Sequence, residues 1–204
     1  GKSLAQAQEE EARKLYETMK KAYVKGDYET ARTQVAQLLK DYPKTDSYKR
    51  SKRIESELSL FDQPSPVDAQ THIQEWFTEN TAMSLDGNLG WSKGTSLVVF
   101  WERWCPGCRT HMPDLQKTYE RWDARGLSVM ALTRVTRTDT REEVAAFISE
   151  EGLTLPIAKE DGQLASFFKV QALPAAAVIR DGVVIWRGDP KRITDTDLKS
   201  WTQD

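Results

Sequence analysis

The chain has 204 residues, with 29 Lys and Arg against 31 Asp and Glu and a formal net charge of −2. That balance gives no general attraction to nucleic acid or anionic lipid, and no apolar stretch approaches the roughly 20 residues that span a bilayer. The length suits one ordinary domain plus a smaller attachment, with a core large enough to need no covalent staples.

No apolar signal-peptide core follows Gly1-Lys2-Ser3, so the chain is expected to be soluble as it stands. An exported form that has lost a signal or anchor has the same appearance, and compartment stays open. Ala12, Leu15, Met19, Ala22 and Tyr23 mark one helical stripe. Gly26-Asp27 breaks it, and Ala31, Val35, Leu38 and Leu39 predict a second helix that Tyr42-Pro43 closes. Asp46 is placed to cap a third, with Ile54, Leu58 and Phe61 on its apolar face. Lys44, Lys49, Arg50, Lys52 and Arg53 read as a solvated face, the alternative being a surface for an acidic partner. In Gln63-Pro64-Ser65-Pro66 each proline turns its predecessor away from helix. The expected organisation is therefore a helical module over 1–62, a linker over 63–70 and a second domain over 71–204.

Thr71 to Leu85 fits no single pattern, and Asp86-Gly87-Asn88 reads as a turn between two short strands. Leu97-Val98-Val99-Phe100-Trp101 is a continuous apolar run, as a strand buried on both faces requires. Met112, Leu115, Tyr119 and Trp122 then share one helical face. Between strand and helix lies Trp104-Cys105-Pro106-Gly107-Cys108, holding both cysteines of the chain. Leu127–Val135 predicts a buried strand, and Thr140-Arg141-Glu142-Glu143 a capping box before a helix bearing Val144, Phe147 and Ile148. A short strand over Leu155–Ala158 and a helix after Asp161-Gly162 follow. Ala175–Ile179 and Val183–Trp186 form a hairpin across Asp181-Gly182, and Thr194–Trp201 closes the chain as a helix. This order predicts an α/β domain, a mixed sheet with helices on its faces.

The dithiol carries the chemistry. Unpaired N–H groups and the helix dipole favour an anion at Cys105, which makes it the nucleophile that attacks a substrate disulfide, with Cys108 resolving the mixed disulfide. Pro106 suits a first helical turn because it has no N–H to leave unsatisfied, and Gly107 leaves Cys105 open to a bulky partner. A purely structural disulfide across four residues constrains little of the unfolded chain. Zinc on Cys105, Cys108 and His111 is the competing reading, but zinc takes four ligands, the only other histidine is His72, and no second cysteine pair exists. The reading has no metal and no cofactor beyond the redox-active pair. His111 falls one turn beyond Cys108 and is expected to exchange a proton with it or tune it. Trp101 reads as core, Glu102 and Arg103 as solvated, and Pro113 as a kink in the active-site helix.

Residues 67–204 resemble the thioredoxin fold, and within it the extracytoplasmic thiol-disulfide oxidoreductases of the TlpA/ResA type. The resemblance rests on Val99-Phe100-Trp101 through Cys108-Arg109 with Met112-Pro113, on Val170-Gln171-Ala172-Leu173-Pro174, and on the last hairpin with Gly188. It implies a cis-proline at Pro174, a Leu173 backbone able to pair with an extended substrate, and a docking groove flanked by Trp104 and Leu173. The helix near 140–151 matches the family's insertion. Two positions depart from the pattern: Val99 stands where such proteins carry a buried aspartate or asparagine, and His111 where they carry glutamate. The implied activity is reduction of protein disulfides in a bacterial periplasm, with an upstream electron donor. Tyr16, Ala22, Gly26-Asp27-Tyr28, Ala31, Leu38 and Tyr42-Pro43 resemble one tetratricopeptide repeat. A single repeat must pack on the next domain, on a second copy of the chain or on another protein, so a homo-oligomer through 1–62 is one expectation. Three alternatives stand beside the reductase: an adaptor whose redox domain is regulatory, a disulfide oxidase or isomerase, and, more weakly, a peroxidase.

Overall fold

Ser3 and Gln6 form a reciprocal capping box that starts α1 (Leu4–Val24), and Asp27 accepts from the Thr30 N–H to start α2 (Tyr28–Asp41). The third helix, α3 (Asp46–Leu58), is capped by Thr45 and not by Asp46: the Thr45 hydroxyl accepts from the Tyr48 N–H. Asp46 falls in the first turn instead. There Glu9 of α1 accepts from the Asp46 and Ser47 N–H groups at 2.7 and 3.1 Å, satisfying two donors that a helix start leaves open. Ala12, Leu38 and Tyr48 form the centre of this three-helix unit, and Tyr28 stacks on Phe61 with ring centroids 3.6 Å apart. Leu39 is half-exposed, because the buried stripe of α2 is only wide enough for Ala31, Val35 and Leu38.

The computed structural model describes residues 1–61, 63–66, 68–78 and 89–203 and divides into two units, Gly1–Phe61 and Asp62–Asp204. The second unit is built on six strands: β1 (Ile73–Trp76), β2 (Thr95–Phe100), β3 (Leu127–Thr133), β4 (Ile157–Glu160), β5 (Ala175–Arg180) and β6 (Val183–Gly188). Their order across the sheet is β1-β4-β3-β2-β5-β6. Strands β2, β3 and β4 run parallel, while β5, β6 and β1 are antiparallel to their neighbours. All six residues of β2 are buried, as the apolar run requires of a central strand. Among the described residues four α-helices accompany the sheet: α4 (Pro106–Trp122), α5 (Arg141–Glu150), α6 (Gln163–Phe167) and α7 (Asp195–Thr202). This is a thioredoxin-like fold.

The register positions the site. Phe100 at the end of β2 lies opposite Leu132 near the end of β3 and opposite Ala175 at the start of β5. The segments leaving β2, leaving β3 and entering β5 therefore converge at one end of the sheet. Strand β1 lies within the stretch that fits no single sequence pattern, and the expected Asp86-Gly87-Asn88 turn lies outside the described residues. The expected linker is not free chain. The Ser65 N–H donates to the Gly182 carbonyl at 2.8 Å, the Val184 N–H donates to the Gln63 carbonyl at 3.3 Å, and Pro64 bridges Val183. Proline is compatible with a sheet edge because no ladder donor is needed there, so a segment that reads as linker pairs as an edge and belongs to the second unit.

Candidate active site

Cys105 is the N-cap of α4, with Pro106 in its first turn. Its Sγ accepts the Cys108 N–H at 3.3 Å and lies 3.8 Å from the Leu173 carbonyl oxygen, which the thiol can reach as a donor. The Leu173–Pro174 peptide bond is cis. Both cysteines are free thiols and their environments differ: Cys105 is 7% exposed, whereas Cys108 is fully buried among the core residues. Burial, followed by the hydrogen bond with Cys105, pushes the Cys108 thiol up from 9.0 to about 12. At neutral pH Cys108 holds its proton, and Cys105 is the sulfur that incoming molecules meet.

Gly107 lies against the opposite wall. A Cβ there would sit 3.4 Å from the Lys191 ammonium and 3.9 Å from Pro174 Cδ. An added methyl would thus make ordinary contacts, and the Lys191 ammonium lies close to the dithiol turn.

Trp104 and Leu173 do line one groove, of about 210 Å3, together with Arg134, Thr136 and Gln171. The Trp104 ring is held on two sides. Its Nε1 donates to Thr136 Oγ1 at 2.9 Å, and the Arg137 guanidinium lies 3.4 Å above the ring centroid. Both partners come from the segment after β3, where Val135 (φ 57°) and Arg137 (φ 58°) occupy the left-handed region. That region is disfavoured for any side chain and most of all for β-branched valine, at about 1–3 kcal/mol per residue. This also ends β3 at Thr133, two residues before the predicted end.

A buried carboxylate holds that segment in place. Glu102, expected in solvent, is 4% exposed and accepts three hydrogen bonds: from Thr133 Oγ1 at 2.9 Å, the Arg134 N–H at 2.9 Å and the Thr136 N–H at 3.2 Å. Its backbone carbonyl also receives the Cys105 N–H at 3.1 Å. Glu102 therefore joins the dithiol turn to the wall of the groove. Arg103 is not simply solvated either, since it donates to Asp139 at 2.8 Å and Glu143 at 3.3 Å. Trp101 is fully buried, as read. Sequence reasoning passed over Glu102 because a charge beside a turn reads as exposed. The available signal was its place, the first charge after an unbroken apolar strand and three residues before Cys105.

Among the described residues His111 makes no hydrogen bond to either cysteine, and its Nε2 is buried without a partner. Its ring lines a separate cavity of about 390 Å3 with Asp114, Leu115, Lys191 and Leu198. Burial pushes its pKa down from 6.5, and the charges acting on it are Asp114, Asp189 and Lys191. The expected exchange with Cys108 is therefore not carried by a hydrogen bond, and Cys108 lies fully buried among the core residues. His72 is engaged elsewhere, 2.9 Å from Asp161. Among the described residues no three His, Cys, Asp or Glu side chains come together as a metal site. Nor is any helix among them long and apolar enough to cross a membrane.

Comparison with known proteins agrees with this geometry. The chain is 24% identical over 115 residues to sporulation thiol-disulfide oxidoreductase A of Bacillus subtilis (strain 168), covering 55% of this chain and 70% of that protein. It is 31% identical over 96 residues to the thiol-disulfide oxidoreductase ResA of Bacillus thuringiensis (strain Al Hakam), covering 46% of this chain and 54% of that one. The chain thus spans about half the length of ResA. A solution structure of a thioredoxin-like protein in its oxidised form shares the fold, with TM-score 0.54 and 21% identity over 67% of this chain and 97% of that chain. The AhpC/TSA family model matches residues 78–187, more than half of the sequence. The chain belongs to the AhpC/TSA family, in its thioredoxin-like form, and is related to the ResA-type thiol-disulfide oxidoreductases.

Proposed function

We propose that this chain is a thiol-disulfide oxidoreductase that reduces protein disulfides through Cys105 and Cys108. The observation that carries the reading is the asymmetry of the pair: one sulfur at a helix N-cap beside the Leu173 carbonyl, the other buried and held protonated. The Cys105 thiolate attacks a substrate disulfide, forming one S–S bond and releasing one substrate thiolate. Cys108 then loses its proton to the departing thiolate and attacks Cys105 Sγ. The second substrate sulfur leaves as a thiolate and takes its proton from solvent, and the dithiol has passed two electrons to the substrate. Once Cys105 is in the mixed disulfide, its hydrogen bond no longer holds Cys108 protonated, so the resolving sulfur becomes easier to ionise. Leu173 and Trp104 bind the substrate segment, and Pro106, Gly107 and Pro174 shape the approach. An upstream electron donor restores the dithiol, and the ResA-type resemblance supports an extracytoplasmic location.

The direction is tested by equilibrating the Cys105–Cys108 pair against glutathione. A potential near the thioredoxin end of the scale, roughly −270 mV, supports a reductase, and one near −120 mV makes the protein an oxidase. The mechanism is tested with Cys108→Ser, which is expected to accumulate a mixed disulfide at Cys105. Accumulation at position 108 in Cys105→Ser instead reverses the roles.

A further inference from the structure

Negative charge on the groove side of the dithiol is consumed internally. The Glu102 carboxylate is buried and bound by three donors, and Asp139, whose side chain is 4% exposed, is paired with Arg103. Positive charge is left outward. Arg134 and Arg137 are exposed on the groove wall and Lys191 is exposed on the far side of the dithiol turn, next to Gly107. Among the described residues, no carboxylate lies within ion-pair distance of these three side chains. In a chain of net charge −2, the groove wall has the opposite sign, while Lys191 shares its side of the turn with Asp114 and Asp189.

The placement is also built. The Arg137 guanidinium is set over Trp104 by a backbone in the left-handed region, which Glu102 holds through the Arg134 and Thr136 N–H groups. The Arg134 side chain lies on Gly162 (φ 98°), where an added Cβ would come within 2.9 Å of its Nε. Only a residue without a side chain leaves that place free.

We propose that this wall selects disulfides set in acidic polypeptide segments, an inference that rests on the oxidoreductase reading above. The extended chain beside the substrate cysteine occupies the Trp104–Leu173 groove, and carboxylates flanking that cysteine meet Arg134 and Arg137 on its wall. Exposed ion pairs contribute little affinity each. A cluster of one sign at the mouth of a groove instead raises the encounter rate of oppositely charged partners, by about 10- to 1000-fold at low salt.

The test uses the full reduced chain in single-turnover reactions with three disulfide-bridged peptides of one length and cysteine spacing, flanked by Asp/Glu, by Ser/Asn or by Lys. A small uncharged disulfide serves as the fourth substrate. At low ionic strength the acidic peptide is expected to react at least about tenfold faster than the neutral one and the basic peptide slowest, with the spread collapsing at roughly 0.5 M salt. The Arg134→Ala, Arg137→Ala double variant is expected to bring the acidic-to-neutral ratio close to one, and Arg137→Lys to restore part of it. Equal rates for the three peptides with a working dithiol overturn the charge selection and leave the oxidoreductase reading intact. So does a preference that survives in the double variant. Failure to react with any of the four, the uncharged disulfide included, overturns the oxidoreductase reading and this inference with it.

Discussion

Replacing Glu102 tests whether one carboxylate organises the groove wall. Glu102→Ala removes the acceptor for the Thr133 hydroxyl and for the Arg134 and Thr136 N–H groups. Hydrogen bonds to a charged group contribute about 1.5–3 kcal/mol each, but Arg134 is exposed and Thr136 only half-buried, so water replaces part of the loss. The remaining penalty is about 3 kcal/mol, and the left-handed residues Val135 and Arg137 are then held by fewer bonds. Glu102→Gln keeps one accepting oxygen and turns an NH2 toward a donor, for a loss of about 1.5 kcal/mol. All seven tryptophans lie beyond residue 75, so tryptophan fluorescence during urea unfolding reports on the second unit alone. The expected order of stability is parent, Gln, Ala, with the melting temperature falling about 3 °C per kcal/mol. An alanine variant within about 0.5 kcal/mol of the parent, the range of ordinary surface substitutions, refutes the argument.

Other outcomes follow from the same geometry. Because the folded Cys108 thiol is pushed up from 9.0 to about 12, the unfolded chain loses that proton first. Stability of the reduced protein is therefore whole below about pH 9 and declines as pH rises toward 12, a decline that the oxidised protein, titrated in parallel by urea unfolding, lacks. For the same reason iodoacetamide at pH 8 is expected to label Cys105 and spare Cys108, as peptide mass mapping will show; equal labelling contradicts the burial argument. His111 has the opposite sign: its folded pKa lies below 6.5, so the unfolded chain binds the proton first and stability present above pH 6.5 is lost as pH falls through the folded value. His111→Gln is expected to flatten that acid limb below about pH 6.5 while leaving the pH profile of Cys105 alkylation unmoved. Trp104→Phe keeps a ring for Arg137 but loses the bond to Thr136, at about 1 kcal/mol. A double-mutant cycle between Trp104 and Arg137 should give a coupling of about 0.5–2 kcal/mol.

Local pattern decided a great deal of this protein. The apolar run from Leu97 fills most of β2 (Thr95–Phe100), a central strand whose six residues are all buried. The spacing of Cys105 and Cys108, with proline between them, put the first sulfur at a helix cap and the second one turn inside. Capping boxes at Ser3, Thr140 and Thr194 are each complete within four residues, and a helix start of that kind is legible without knowing what it packs against. Features that depend on distant segments were not legible. Glu102 looks solvated until Thr133, Arg134 and Thr136, more than 30 residues away, are brought to it by the pairing of β2 with β3. Helical spacing places His111 one turn beyond Cys108, and only the tertiary structure brings Lys191 and Leu198 to the cavity it lines. Gln63–Pro66 reads as linker because prolines disfavour helix, and only the exposed edge of β6 makes it part of a sheet. The sequence by itself determined the reacting pair and the elements that carry it, since those depend on neighbours along the chain. The tertiary structure decided what surrounds the pair, since a buried carboxylate, a clamped tryptophan and a cationic groove wall exist only where separate segments meet.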